Sequence, residues 1–130
     1  MIEIPGRMER YDNFILDGAH NFQALERLIK MVEKIEKVIF SCMKDKDVDR
    51  MLSTLPKNVE LMLCPMKNKR GMAVKEMIKA AERNRNIYGS FESIENAIKT
   101  IEKQKTLITG SFYCVSEARK IMKMKGSEEN

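Results

Sequence analysis

The chain has 130 residues, 43% of them hydrophobic, with 24 Lys and Arg against 19 Asp and Glu for a formal net charge of +5. That length fits one domain able to bury roughly two-thirds of its unfolded surface, and no apolar run approaches the ~18 residues of a membrane span. The positive balance does not read as a nucleic-acid module, because basic and acidic residues alternate, as in Lys30-Met31-Val32-Glu33-Lys34-Ile35-Glu36-Lys37, and aromatics are only 6%.

Met1-Ile2-Glu3-Ile4-Pro5 has no basic flank and no long apolar stretch, so no secretory signal is expected and the protein reads as soluble and cytoplasmic. Met8-Glu9-Arg10 is a candidate for a short extra strand. From there short apolar runs alternate with stretches of helical period. Phe14-Ile15-Leu16 leads to Leu25, Leu28, Ile29 and Val32, and Val38-Ile39-Phe40 to Val48, Met51, Leu52 and Leu55. Val59-Glu60-Leu61-Met62-Leu63 precedes Val74, Met77, Ile78 and Ala81. A weaker run at Asn86-Ile87-Tyr88 precedes Ile94, Ala97, Ile98 and Ile101, and Leu107-Ile108-Thr109 leads to Val115, Ala118, Ile121 and Met122. Apolar residues three and four apart share a helix face, and short unbroken apolar runs suit strands covered on both sides. Five strand-then-helix units predict one α/β domain with a mostly parallel sheet flanked by helices. Residues 123–130 have lost the period and are expected to fray.

In such a sheet ligands meet the loops after the carboxyl ends of the strands. The first of these, Asp17-Gly18-Ala19-His20-Asn21, combines a carboxylate able to accept from a vicinal diol, a glycine, the single histidine and a helix cap. From chemistry alone these residues either bind a ligand or merely tie down the turn. Asp45 and Asp47 in Lys44-Asp45-Lys46-Asp47 are explained by capping of the next helix. Gly110-Ser111-Phe112-Tyr113 offers a hydroxyl and backbone N–H groups. The chain contains no G-x-x-x-x-G-K-[ST] and no G-x-G-x-x-G stretch. Its three cysteines, with no close pair and one histidine, supply neither a disulfide framework nor a zinc cluster.

Pro5-Gly6-Arg7-Met8-Glu9, Ile15-Leu16-Asp17-Gly18-Ala19-His20-Asn21, Met43-Lys44-Asp45-Lys46-Asp47 and Thr109-Gly110-Ser111-Phe112-Tyr113 occur in an order that resembles the carboxy-terminal domain of folylpolyglutamate and dihydrofolate synthases, members of the Mur ligase superfamily. The resemblance implies a Rossmann-like sheet of the Mur ligase carboxy-terminal type and an ATP-dependent amide-forming ligase. A folate carboxylate is phosphorylated, and the amine of L-glutamate displaces the phosphate. It further implies that the amino-terminal domain carrying the phosphate loop, the magnesium ligands and the folate pocket lies outside these residues, so that the chain alone is inactive. By position, Arg7 resembles the arginine that reaches the ATP phosphates and Asp17 the carboxylate on the ribose hydroxyls. His20 and Ser111 resemble residues near the incoming glutamate. Asn21, Asp45, Lys46, Asp47 and Arg70 fall on the expected rim. Phe22 stands where the family often has proline, and Gly71 follows Arg70 where alanine is usual. The alternative is a stand-alone domain that binds a nucleotide or acidic metabolite without ligase activity.

Overall fold

In the computed structural model, residues 7–129 are described, with side chains to residue 124. A short hairpin opens the fold: β1 (Glu9–Tyr11) turns back through Asp12 and Asn13 into β2 (Phe14–Leu16). Then follow α1 (Phe22–Met31), β3 (Lys37–Phe40), α2 (Val48–Ser53), β4 (Glu60–Leu63), α3 (Val74–Arg83), β5 (Ile87–Ser90), α4 (Ile94–Lys99), β6 (Thr106–Thr109) and α5 (Phe112–Glu129). The six strands form one sheet in the order β1-β2-β6-β3-β4-β5, parallel except for β1, which pairs antiparallel with β2. The parallel αβ reading of the sequence therefore stands, and Met8-Glu9-Arg10 is corrected by one residue to Glu9–Tyr11.

Side chains alternate across each strand, and both faces are buried. Ile15, Val38, Phe40, Leu61, Leu63 and Leu107 face one cluster with Leu25 and Leu28 of α1, Met51 and Leu52 of α2, and Met77, Ala80 and Ala81 of α3. Phe14, Leu16, Ile39, Met62 and Ile108 face a second cluster with Ile94, Ala97 and Ile98 of α4 and Val115 and Ala118 of α5. Unbroken apolar strand runs follow from this two-sided cover. β5 reads weakly because it is an edge strand, with Ile87 exposed.

Side-chain oxygens close the open N–H groups of the helix starts. Asn21 Oδ1 accepts from Ala24 N at 2.8 Å, Asp47 Oδ1 from Arg50 N at 3.2 Å and Ser93 Oγ from Asn96 N at 3.0 Å. The fraying expected from Lys123 gives way to helix as far as Glu129. Lysine, methionine and glutamate are good helix formers, so the last turns continue after the buried period ends at Met122. No helix among the described residues is long and apolar enough to cross a membrane.

Candidate functional site

β2 and β6 run side by side, with Leu16 opposite Ile108, so Asp17 and Ser111 emerge from neighbouring strands at the same carboxyl edge. Asp17 N donates to Ile108 O at 3.1 Å, continuing the ladder one step beyond β2. The Asp17 carboxylate is held by two backbone donors. Met8 N reaches Oδ2 at 3.1 Å and Ala19 N reaches Oδ1 at 3.0 Å. Each oxygen keeps acceptor capacity beyond these bonds. Burial nevertheless raises the Asp17 pKa above the ordinary 3.8, outweighing the two N–H bonds and the charge of Arg7, all of which lower it. The fold thus holds a carboxylate where ionisation costs more than in water, a condition associated with functional sites.

A cleft of about 230 Å³ opens beside it, walled by Arg7, Asp17, His20, Arg27, Met31 and Phe112 among others. His20 Nδ1 lies 3.2 Å from Gly18 O, and because a carbonyl only accepts, Nδ1 carries the proton in that contact. The His20 ring sits 5.2 Å from that of Phe112, which also covers Gly18 so closely that a Cβ there would collide with the phenyl ring. Glycine at 18 is what lets α5 approach the loop. Small-molecule sites usually enclose about 300–1,000 Å³. At 230 Å³, with Phe112 about half exposed and Met31 more so, this cleft is smaller than such a site and open to solvent.

The remaining residues expected at the site divide between two neighbouring hollows and the helix caps. Asn21 and Asp47 are N-caps of α1 and α2. Asp45, Lys46 and Arg70 line a second hollow of about 230 Å³ with Met43 and Lys44. Lys44, Lys46 and Asp47 also border a third of about 380 Å³ between α2 and α3. The second hollow is braced by backbone. Lys44 N donates to Arg70 O and Met72 N to Cys42 O, both at 2.8 Å, while Lys67 N donates to Glu117 Oε1 at 2.6 Å. Gly71 has its reason here, since a Cβ would stand 2.5 Å from Met66 Cγ. Ser111 is buried, and its hydroxyl accepts from Cys114 N at 3.0 Å as the cap of α5. It meets the cleft only through its neighbour Phe112. Phe22 carries the Arg50 guanidinium 3.8 Å above its ring, a cation–π contact joining α1 to α2.

Sequence reasoning did not single out Arg27 or Met31. The signal was present: Ala24, Arg27, Leu28 and Met31 are spaced three, four and seven apart and make one helix stripe, and all four line the cleft. Among the described residues no three His, Cys, Asp or Glu side chains converge to hold a metal ion.

Fold and cleft together define a mostly parallel α/β domain with a cleft at the carboxyl edge of the sheet. Comparison with known proteins narrows the class. The family model for the Mur ligase glutamate ligase domain matches residues 6–112, and the chain belongs to that family. The dihydrofolate synthase/folylpolyglutamate synthase of Bacillus subtilis (strain 168) is 30% identical over 92% of this chain, and the chain spans about 30% of that relative's length. Among solved structures, the Mycobacterium tuberculosis folylpolyglutamate synthase complexed with ADP superposes with a TM-score of 0.83 at 22% identity, covering 93% of this chain and 33% of that one. The Thermotoga maritima folylpolyglutamate synthase gives 0.85 at 21% identity, covering 93% and 31%. These likenesses establish the fold.

Proposed function

We propose that the chain serves as the carboxy-terminal domain of a cytoplasmic folylpolyglutamate synthase, supplying half of the site at which ATP is used to join L-glutamate to a folate. The observation that carries this reading is the convergence of Arg7, Asp17 and His20 on one cleft, where burial works against the charge of Asp17. Asp17 takes the ribose hydroxyls as donors, one to each carboxylate oxygen. Arg7 presents a guanidinium fork to the phosphates, where its charge offsets the negative charge that accumulates during phosphoryl transfer. The ADP complex of the Mycobacterium tuberculosis folylpolyglutamate synthase, which shares this fold, supports a nucleotide here.

Lys44, Lys46 and Arg70 give the second hollow three cations against the one carboxylate of Asp45. Among the described residues the ion pairs are Lys37–Glu60, Arg83–Asp49 and Arg119–Glu9, so these three cations are not engaged in any. The two carboxylates of a dicarboxylate amino acid would each find a cation there. Magnesium would be held chiefly by residues of the larger part of the synthase and would neutralise the phosphate oxygens.

A half-site binds feebly, because fewer contacts offset the cost of immobilising the ligand. The test is a titration of isotopically labelled chain with magnesium ADP, followed by amide chemical shifts. Shifts gathered at residues 7–8, 17–20, 27–31 and 112 are expected, with no turnover of ATP by the chain alone. Shifts scattered elsewhere, or vigorous ATP hydrolysis by purified chain, would count against the reading.

A further inference from the structure

We infer that the ion pair between Arg119 of α5 and Glu9 of β1 is a positioning device for the cleft, fixing the hairpin so that Met8 N–H and Arg7 stay set against Asp17. The inference rests on the nucleotide reading above and gives a role to Glu9, which that reading left unused.

Arg119 Nε lies 3.1 and 2.9 Å from the two Glu9 oxygens, and its Nη2 lies 2.8 Å from Oε1. Both side chains are mostly withdrawn from water, at 24% and 13% exposure, so this forked pair is far from an ordinary surface contact. β1 needs such an anchor. It has three residues, against a usual five or six, and among the described residues it lies at the end of the sheet, paired with β2. Glu9 is opposite Leu16, so the residues beyond this pair are Met8 and Asp17, the two joined by the 3.1 Å hydrogen bond. Met8 itself stands at φ 50°, a left-handed conformation that a non-glycine residue keeps only when its surroundings enforce it. α5 reaches the same loop system twice. Phe112 covers Gly18, and Arg119, seven residues or about two turns further on the same face, grips Glu9.

Loss of Arg119 removes the forked tie between β1 and α5. The Met8 N–H then swings off Oδ2, Arg7 moves with it, and the carboxylate loses its orientation. Asp17 would keep the Ala19 bond, which lies inside its own loop.

The experiment compares wild-type chain with Arg119→Met, Glu9→Gln, Asp17→Asn and the Arg119→Met/Asp17→Asn double variant. Affinity for magnesium ADP and amide hydrogen exchange at Met8 and Ala19 are measured by NMR. Arg119→Met is expected to weaken ADP about three- to tenfold, a fraction of the roughly ten- to hundredfold expected for losing a charged acceptor at Asp17. It should also strip protection from the Met8 amide and spare that of Ala19. The double variant should bind more weakly than Asp17→Asn alone by less than the full Arg119→Met effect, since the share acting through the carboxylate is already lost and only the share acting through Arg7 remains. Glu9→Gln keeps a hydrogen-bonding side chain and should give a smaller shift in the same direction, which covers the case in which Arg119→Met folds poorly. Wild-type affinity and a protected Met8 amide in both clamp variants, beside a weakened Asp17→Asn, would overturn the positioning role alone. An Asp17→Asn variant with wild-type affinity would bring down the nucleotide reading and this inference with it.

Discussion

Replacing Asp17 by asparagine separates a binding role from a structural one. The substitution keeps the shape of the side chain, removes its charge and turns one acceptor oxygen into a donor. A hydrogen bond to a charged group contributes about 1.5–3 kcal/mol, so ADP affinity should fall roughly ten- to a hundredfold. Stability should behave differently. Burial is the largest influence on Asp17 and raises its pKa above 3.8, so the folded chain holds this proton more tightly than the unfolded chain. Between 3.8 and the raised value the native state therefore binds more protons, and this group's contribution to stability falls as pH rises. Asparagine has no such decline. It gives up the charge-assisted bond from Met8 N, a cost of about 1.5–3 kcal/mol, and is relieved of the desolvated charge, which offsets that loss. The variant should melt close to wild type at neutral pH, with the comparison shifting in its favour as pH rises from 3.8 to the raised value and levelling off above it. Thermal melts across pH and an ADP titration on the same preparations decide the matter. A variant that melts far lower at pH 7 yet binds ADP normally would refute the reasoning and leave Asp17 as a turn-holding residue.

Gly110 has φ 119°, and a Cβ there would collide with the backbone oxygen of Ser41. Gly110→Ala should cost about 2–5 kcal/mol, from strain plus overpacking, read by denaturant unfolding. Ser111→Ala removes the cap of α5 and should cost about 1 kcal/mol by the same method, with little change in ADP affinity because the hydroxyl faces Cys114 N. Burial pushes the Cys42 and Cys64 thiols up to about 12 and the Cys114 thiol well above its ordinary value. Native chain should therefore resist thiol-alkylating reagents at pH 8, and all three cysteines should react once it is unfolded, as mass spectrometry would register.

The sequence determined by itself what depends on local order along the chain. Alternating apolar runs and helix-spaced residues dictate strands, helices and two-sided burial, because Leu61-Met62-Leu63 has a place only in a strand covered on both faces. A strand end followed by a cap, as in Leu16-Asp17 and Asn21, also marks the carboxyl edge where ligands gather. The order of the strands needed the tertiary structure. β6 inserts between β2 and β3, bringing Phe112 beside Gly18 and His20 although some ninety residues separate them. That placement is set by which faces pack together, and no local pattern carries it. For the same reason Ser111 reads as an available hydroxyl in the sequence and is a buried cap in the fold. Glu9 and Arg119, 110 residues apart, are two unremarkable charges in the sequence. Only the closure of α5 over the hairpin makes them a pair, because an ion pair depends on distance in space and the sequence records distance along the chain.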